Sequence, residues 1–148
     1  MLKDISWGVL PLVAGLFVLV EALDRTGLIR LVAAVLRRTA EASPAAAAWA
    51  SGLVPAFLCN LLNNLPAGLI AANAVQAAQP PATVTGAVLI GIDLGPNLSV
   101  TGSLATILWL AALRREGLQV GALAFLRLGI LVMPPALILA LAALIAVG

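Results

Sequence analysis

Two short polar segments interrupt an otherwise apolar stretch between residues 59 and 103. The first is residues 60–66, which read NLLNNLP, and the second is residues 91–103, which read GIDLGPNLSVTGS. A polar group without a hydrogen-bond partner costs several kcal/mol in a lipid bilayer, so a membrane-embedded chain keeps such groups only where they are satisfied or used. Two breaks of comparable chemistry therefore predict a solute-binding site near the middle of the membrane.

The composition of the chain supports placement in a membrane. Hydrophobic residues make up 63% and charged residues 9% of the 148 positions, whereas soluble domains carry about 25% charged residues. The net charge of +2 does not suggest a nucleic-acid partner. Histidine is absent and cysteine occurs once, which argues against a metal centre, a disulfide and a histidine-based catalytic dyad. Since no cofactor fingerprint is present either, we expect a protein that is not an enzyme and uses no cofactor.

The apolar segments predict an all-α integral membrane protein. Residues 5–23 predict a first transmembrane helix, about 28 Å long against about 30 Å of hydrocarbon. Residues 26–41 place arginines on one helical face and aliphatic residues on the other, which predicts an amphipathic helix lying in the membrane interface. Residues 121–147 predict a final transmembrane helix, bent by Pro134 and Pro135.

Residues 44–78 admit two interpretations. Pro66 restarts a helix after the first polar segment. As one helix the whole stretch would be about 50 Å long, too long for an ordinary crossing. We therefore favour a re-entrant hairpin with its tip at residues 60–66, and a single long crossing is the alternative.

Residues 83–113 follow as a transmembrane helix with a break at residues 93–98. The hairpin interpretation places the arginines of residues 25–38 and those of residues 114–115 on opposite sides of the membrane. The single-crossing interpretation places both groups on the cytoplasmic side, which the positive-inside rule prefers. The sequence therefore leaves the orientation open.

Each polar segment is followed by a helix start. Asn63 and Asn64 are good capping residues for the first helix, and Ser99 and Thr101 for the second. A helix N-terminus offers free N–H groups and about half a positive charge, so two such ends suit an oxyanion or a hydroxylated solute. Neither segment contains lysine or arginine, which favours a neutral or weakly charged solute. The predicted solute-binding residues are Asn60, Asn63, Asn64, Asn97, Ser99, Thr101, Gly102 and Ser103.

Asp93 is the only carboxylate that this interpretation places deep in the membrane. A carboxylate there would carry a coupled proton or help to hold a cation, or it would only cap the broken helix. The remaining residues at the breaks are assigned structural roles: close backbone approach for glycine and a fixed backbone for proline. These are Pro66, Gly91, Gly95 and Pro96.

The polar segments and their flanks resemble a known transporter family. Residues 57–69 (FLCNLLNNLPAGL) and 90–117 (IGIDLGPNLSVTGSLATILWLAALRREG) resemble the C-terminal part of the ArsB-type arsenite efflux permeases, members of a wider ion transporter superfamily. The second segment is the more specific, through its Asp-Leu-Gly-Pro block and its Gly-Ser-Leu-Ala-Thr run. The resemblance covers essentially the whole chain. Asn97 departs from those relatives that carry lysine after Gly-Pro.

The resemblance implies a bacterial inner-membrane exporter of arsenite or antimonite, driven by proton exchange or coupled to an ArsA-type ATPase subunit. It implies two inverted repeats, each with a re-entrant hairpin and a broken helix, of which this chain would be the C-terminal repeat. Transport would then need the missing N-terminal half or a homodimer. The site positions that it implies are Asn60, Asn63, Asn64, Pro66, Asp93, Gly95, Asn97, Thr101, Gly102 and Ser103.

Cys59 lies beside the first polar segment. A thiolate binds As(III), but stable chelation needs two or three thiols, and the chain has one. A lone cysteine with apolar neighbours is more often a small packing residue. We therefore expect packing from Cys59 rather than direct contact with the solute.

Two other functions remain open from the sequence. One is a transporter of the same superfamily for another small anion or cation, such as a sodium/proton antiporter or an organic-anion permease. The other is a non-transporting remnant or assembly subunit. Both polar segments are intact, which argues against a remnant.

Overall fold

The computed structural model describes residues 9–148, and every regular element within that range is helical. Residues 5–8 of the predicted first span lie outside the described residues. The elements are α1 (Val9–Arg25), α2 (Leu28–Ala42), α3 (Pro44–Leu62), α4 (Asn64–Ala78), α5 (Ala82–Leu94), a 3-10 helix (Gly95–Leu98), α6 (Leu104–Arg115) and α7 (Ala122–Val147).

Local sequence signals set several helix ends. Ser43 caps α3, where its hydroxyl oxygen accepts a hydrogen bond from the Ala46 amide at 3.3 Å. Gly27 separates α1 from α2 with a φ of 81°, a left-handed conformation that glycine adopts without steric cost. Gln79 ends α4 with a φ of 50°, and the two prolines that follow prevent the helix from continuing.

The chain reverses direction at Asn63, between α3 and α4. The start of α3 packs on one end of α2, where Ala40 clusters with Ala47. The end of α4 packs on the other end of α2, where Ile29 clusters with Ala78. Because α2 is only about 22 Å long and a straight helix over both arms would be about 50 Å, α3 and α4 form a helical hairpin. Its re-entrant placement in a membrane stays a prediction.

Two apolar cores hold the helices together. The larger core joins α3, α5 and α7, and its fully buried side chains include Val84, Leu137 and Leu141. The smaller core joins α1, α2 and α4 around Val20 and Ile29. The hairpin contributes one arm to each core.

The described helices expose much apolar surface. Two of them, α3 and α7, are long and apolar enough to cross a membrane, and the stretch Ala82–Leu98 is a shorter apolar helix. Leu61 is 82% exposed and Leu139 is 69% exposed. Leu110 is the one buried residue of α6. Such surfaces need lipid or further protein to cover them.

The helix boundaries differ from the expected ones at both polar segments. Helix α3 continues through Asn60 to Leu62, so this arm is about 28 Å long rather than about 22 Å. Helix α5 continues to Leu94, and the non-α-helical segment runs from Gly95 to Ser103. Asparagine and glycine are weak helix formers, but tertiary contacts override propensity here. We call residues 60–66 the hairpin tip and residues 95–103 the helix break.

Candidate functional site

Asn60 joins the hairpin tip to the helix break. Its side-chain nitrogen donates hydrogen bonds to the carbonyl oxygens of Ala56, at 2.9 Å, and of Gly95, at 2.8 Å. Its side-chain oxygen accepts a hydrogen bond from the Ser99 hydroxyl at 2.8 Å. Both amide hydrogens are therefore used within the protein, and Asn60 keeps at most one acceptor lone pair for a solute.

Three further hydrogen bonds connect the same two segments. The Asn63 side-chain nitrogen donates to the Thr101 carbonyl oxygen at 3.1 Å, and the Asn64 backbone amide donates to the Gly102 carbonyl oxygen at 2.8 Å. The Thr101 hydroxyl donates to the Asn60 carbonyl oxygen at 3.3 Å. The structure thus brings together the predicted residues of both polar segments, and most of their polar groups bind one another.

Asn63 has a strained backbone. Its φ is 73° and its ψ is 151°, a combination found almost only at glycine and costing on the order of 1–3 kcal/mol in other residues. The Asn63 side chain offsets part of this cost, because its oxygen also accepts a hydrogen bond from the Leu65 amide at 3.3 Å. Strain of this kind persists where the surrounding contacts fix one conformation, as the bonds to the helix break do here.

The first turn of α4 has no amide left for a solute. Pro66 has no backbone N–H, and the other amides donate to Gly102 or to Asn63; these donors are Asn64 at 2.8 Å, Leu65 at 3.3 Å and Ala67 at 3.3 Å. The free N–H groups expected at this helix start are therefore used inside the protein. That part of the expected site is not available in this conformation.

The first turn of α6 is different. Ser103, rather than Ser99, caps this helix, and its hydroxyl oxygen accepts from the Ala105 amide at 3.1 Å. Within the described part of the chain, the Leu104 and Thr106 amides donate to no other group. The partial positive charge of this helix end and its two amides are therefore free to meet a solute.

Glycines let the α3 and α5 backbones touch. A Cβ atom on Gly91 would overlap the carbonyl oxygen of Gly52, and a Cβ atom on Gly95 would overlap the backbone of Ala56. Gly91 lies within α5, before the helix break, so its part is helix packing. The contact holds the first half of the broken helix against the first arm of the hairpin, which sets the position of Asn60 relative to the break.

The sequence interpretation missed part of this packing. Small residues recur four positions apart at Gly52 and Ala56 in α3, and at Gly91 in α5 and Gly95 directly after it. This spacing is typical of closely packed membrane helices and could have predicted the contact. The role of Gly129 in α7 had no such signal: its Cβ would lie 2.7 Å from the Asn97 carbonyl oxygen.

Two other positions in the break are also closely packed. A Cβ atom on Gly102 would overlap the carbonyl oxygen of Pro96 and lie 2.8 Å from the Asn60 side-chain oxygen. Pro96 is buried in the 3-10 helix. Both residues thus shape the backbone of the break, and neither presents a side chain to a solute.

Asn97 and Asp93 lie at the exposed edge of the break. The Asn97 side-chain nitrogen donates to the carbonyl oxygens of Asp93, at 3.2 Å, and Leu94, at 3.0 Å, and so caps the end of α5. The Asp93 side chain is exposed and makes no hydrogen bond or ion pair with the rest of the described chain. Its carboxylate is therefore accessible to a solute, to a proton or to another protein segment.

The Asn64 side-chain oxygen and the Cys59 side chain are both buried. The side-chain oxygen of Asn64 is buried and has no hydrogen-bond partner among the described residues. A buried acceptor without a partner costs about 1–3 kcal/mol, so this atom is a candidate contact for a bound solute. Cys59 has a relative exposure of 0%. Its thiol therefore packs inside the helices and does not line an open site.

Comparison with known proteins identifies the family of this chain. The sequence model of the ArsB family, described as the arsenical pump membrane protein, matches residues 1–147.

The chain belongs to the arsenical pump membrane protein family. It is 31% identical over 147 residues to the arsenical pump membrane proteins of Yersinia enterocolitica and of Escherichia coli K12, covering 97% of this chain and 34% of each relative. It is 30% identical over 138 residues to an uncharacterised transporter of Mycobacterium tuberculosis, covering 88% of this chain and 32% of that protein. No solved structure matches the chain.

This ArsB-family chain spans about a third of the length of the curated relatives it matches. Those relatives are named as membrane pumps and transporters, and the described chain has the apolar helices of a membrane protein. The predicted family is therefore confirmed, and the chain is a membrane protein of that family.

Proposed function

We propose that the chain is the C-terminal repeat of a secondary transporter that exports arsenite or antimonite across the bacterial inner membrane. The observation that carries the proposal is the interlocked pair of polar breaks in a chain of this family. Five hydrogen bonds, together with backbone contacts, hold the hairpin tip on the helix break. Polar groups that remain free beside this junction then form one half of a solute site.

The free groups suit a neutral hydroxylated solute. Arsenite at neutral pH is an uncharged molecule with three hydroxyl groups, each a donor and an acceptor. The Asn64 side-chain oxygen supplies a buried acceptor, and the amides of Leu104 and Thr106 supply donors. No lysine or arginine occurs between Glu41 and Arg114. A multiply charged anion would therefore lack a countercharge, whereas arsenite needs only hydrogen bonds to replace its water.

Asp93 is the proposed coupling residue. Its exposed carboxylate is the only charged side chain between Glu41 and Arg114. A carboxylate that meets protons from one side and solute from the other can exchange the two across a membrane. We expect Asp93→Asn to abolish proton-driven arsenite export. An ArsA-type ATPase subunit is the alternative energy source, and export that depends on ATP but not on the proton gradient would favour it.

The proposed site needs a second part. The chain spans about a third of the relatives' length, and α6 leaves all but Leu110 at least partly uncovered. An N-terminal half, or a second copy of this chain, would cover α6 and complete the site. We expect expression of this chain by itself to give arsenite resistance only if it dimerises.

Asn64→Ala tests the site directly. The side-chain oxygen of Asn64 has no partner among the described residues, so its removal should not lower stability. It should lower arsenite uptake by everted membrane vesicles. One lost hydrogen bond of about 0.5–1.5 kcal/mol corresponds to roughly a two- to tenfold higher half-saturation concentration.

The matched control is Asn73→Ala. Asn73 is exposed in the same helix and makes no side-chain hydrogen bond within the described chain. The vesicles should contain this chain together with the N-terminal part of a family member, and arsenite uptake is measured under an imposed proton gradient. Equal arsenite transport by the two alanine variants would remove Asn64 from the site.

A second candidate is transport of another small ion by the same fold. The exposed Asp93 carboxylate favours it, because a carboxylate can bind a cation as well as a proton. The Mycobacterium tuberculosis relative is named only as an uncharacterised transporter. The same vesicles separate the two functions: sodium-dependent proton flux without arsenite transport would favour this candidate.

A further inference from the structure

A cavity of about 330 Å³ lies away from the hairpin tip, between α2 and both arms of the hairpin. Its walls are mainly aliphatic and include Val35 of α2, Val54 of α3 and Val75 of α4. Val35 is 54% exposed and Val54 is 56% exposed, so the cavity opens at the protein surface. Its volume falls in the range of small-ligand sites, roughly 300–1,000 Å³.

The cavity contains little that would hold a polar molecule. The hydroxyl groups on its wall belong to Thr39 and Ser51. The Thr39 hydroxyl already donates to the Val35 and Leu36 carbonyl oxygens at 3.0 Å each. The Ser51 hydroxyl is then the polar side-chain group of the wall left for a solute. One hydroxyl replaces little of the water that a polar molecule would lose, so the cavity favours an apolar chain.

Basic side chains lie on α2 beside the cavity. Arg38 is exposed and follows Val35 by three residues, so it lies where the basic face of α2 meets the aliphatic face that lines the cavity. The neighbouring Arg37 is close to a carboxylate, because its Nε atom lies 4.0 Å from a Glu41 oxygen. Arg38 forms no ion pair within the described chain. The apolar cavity is therefore bordered by positive charge that the protein does not neutralise.

We propose that this cavity holds an acyl chain of an anionic phospholipid whose phosphate contacts Arg38. The proposal uses the position of α2 at the membrane surface, which its amphipathic sequence predicts. A phospholipid joins an apolar chain, which suits the cavity, to an anionic phosphate, which suits Arg38. Such lipids are present at the membrane surface, where an interfacial helix lies. Lipid bound here stabilises the packing of α2 on both hairpin arms, since the cavity touches all three helices.

Two pairs of variants test the proposal. Ala71 lines the cavity and Ala72 is exposed next to it in α4, so Ala71→Leu fills the cavity while Ala72→Leu adds the same atoms outside it. Arg38→Gln removes the proposed phosphate contact, and Arg114→Gln removes an exposed arginine of α6 as its control. Each purified full chain is titrated with phosphatidylglycerol or phosphatidylcholine of identical acyl chains, and bound lipid is counted by native mass spectrometry.

The unmodified chain should bind phosphatidylglycerol in preference to phosphatidylcholine. Ala71→Leu should lower binding of both lipids roughly tenfold, and Arg38→Gln should remove the preference while both control variants keep it. Equal binding by Ala71→Leu and Ala72→Leu would overturn the proposal. So would binding of a second copy of the chain in place of lipid.

Photolabelling of the unmodified chain provides a test that does not depend on the folding of a variant. The protein is placed in vesicles that contain a phosphatidylglycerol with a diazirine in its acyl chain. The vesicles are irradiated, and the residues to which the lipid attaches are mapped. Labels should concentrate on the cavity wall around Val54 and Val75. Labelling no stronger than on the exposed α7 residues Leu131 and Leu139 would contradict a specific site.

Discussion

Replacing Asn60 by alanine should separate the hairpin tip from the helix break. The Asn60 side chain makes two bonds that bridge distant parts of the sequence, one to the Gly95 carbonyl oxygen and one from the Ser99 hydroxyl, each at 2.8 Å. Its third bond goes to the Ala56 carbonyl oxygen, which belongs to the same helix, so this bond does not connect α3 to another element. Asn60→Ala therefore removes both bridging side-chain bonds. Alanine has the higher helix propensity, by about 0.7 kcal/mol at most, and any Asn→Ala control within a helix shares that gain.

The expected cost follows from these two bonds. Hydrogen bonds between membrane helices contribute about 0.6 kcal/mol on average and up to about 1.7 kcal/mol. Two lost bonds give a destabilisation of about 1–3 kcal/mol. The upper part of this range is favoured, because the partly buried Gly95 carbonyl and Ser99 hydroxyl are left without their partner.

The assay is reversible unfolding in mixed micelles, in which SDS is added to protein in a mild detergent and helix content is followed by circular dichroism. Asn73→Ala is the control, since that exposed side chain makes no bond in the described chain. In a double-mutant cycle, Asn60→Ala and Ser99→Ala should show a coupling energy of about 0.5–1.5 kcal/mol. A cost no larger than that of the control, or no coupling to Ser99, would refute the interlocked arrangement.

Three further predictions concern the same region. Gly91→Ala should destabilise the protein by about 1–3 kcal/mol in the same assay, because the added methyl group overlaps the Gly52 backbone. Gly121→Ala is the control and should not destabilise the protein, because no atom lies within 4 Å of its added methyl group. Asn63→Gly should be more stable than Asn63→Ala by about 1 kcal/mol, since only glycine accepts a φ of 73° easily; equal stability would contradict the strain. Cys59→Ala should retain arsenite transport in vesicles, and maleimide should label Cys59 slowly until the protein is denatured.

The sequence predicted the helical architecture because its signals are local. Apolar length, the Ser43-Pro44 start and the prolines after Gln79 act within a few residues of each helix end. The reversal near Asn63 was likewise expected, because a single helix through it would be too long. The exact ends of the helices were not predicted. Helix α3 runs past Asn60, because the Asn60 side chain bonds to the Gly95 carbonyl oxygen instead of ending the helix.

The site was predicted as a set of residues but not as a set of bonds. Asn60, Ser99 and Thr101 were expected to face a solute, and they bind one another across 39 to 41 residues of sequence. Sequence spacing within one helix carries no information on which distant group a side chain meets. For the same reason the sequence did not distinguish the buried Asn64 oxygen, which lacks a partner, from the neighbouring Asn63, which has two.

The contact between the α3 and α5 backbones at Gly52 and Gly91 has a consequence for motion during transport. Helices that touch through their backbones have no flexible side chains between them to absorb sliding, so we expect α3 and α5 to move as one rigid body. The hydrogen bonds between the hairpin tip and the helix break tie Asn63 and residues 99–102 to the same unit. In the proposed transporter we therefore expect α3, α5, the tip and the break to shift together when the accessible side of the site changes.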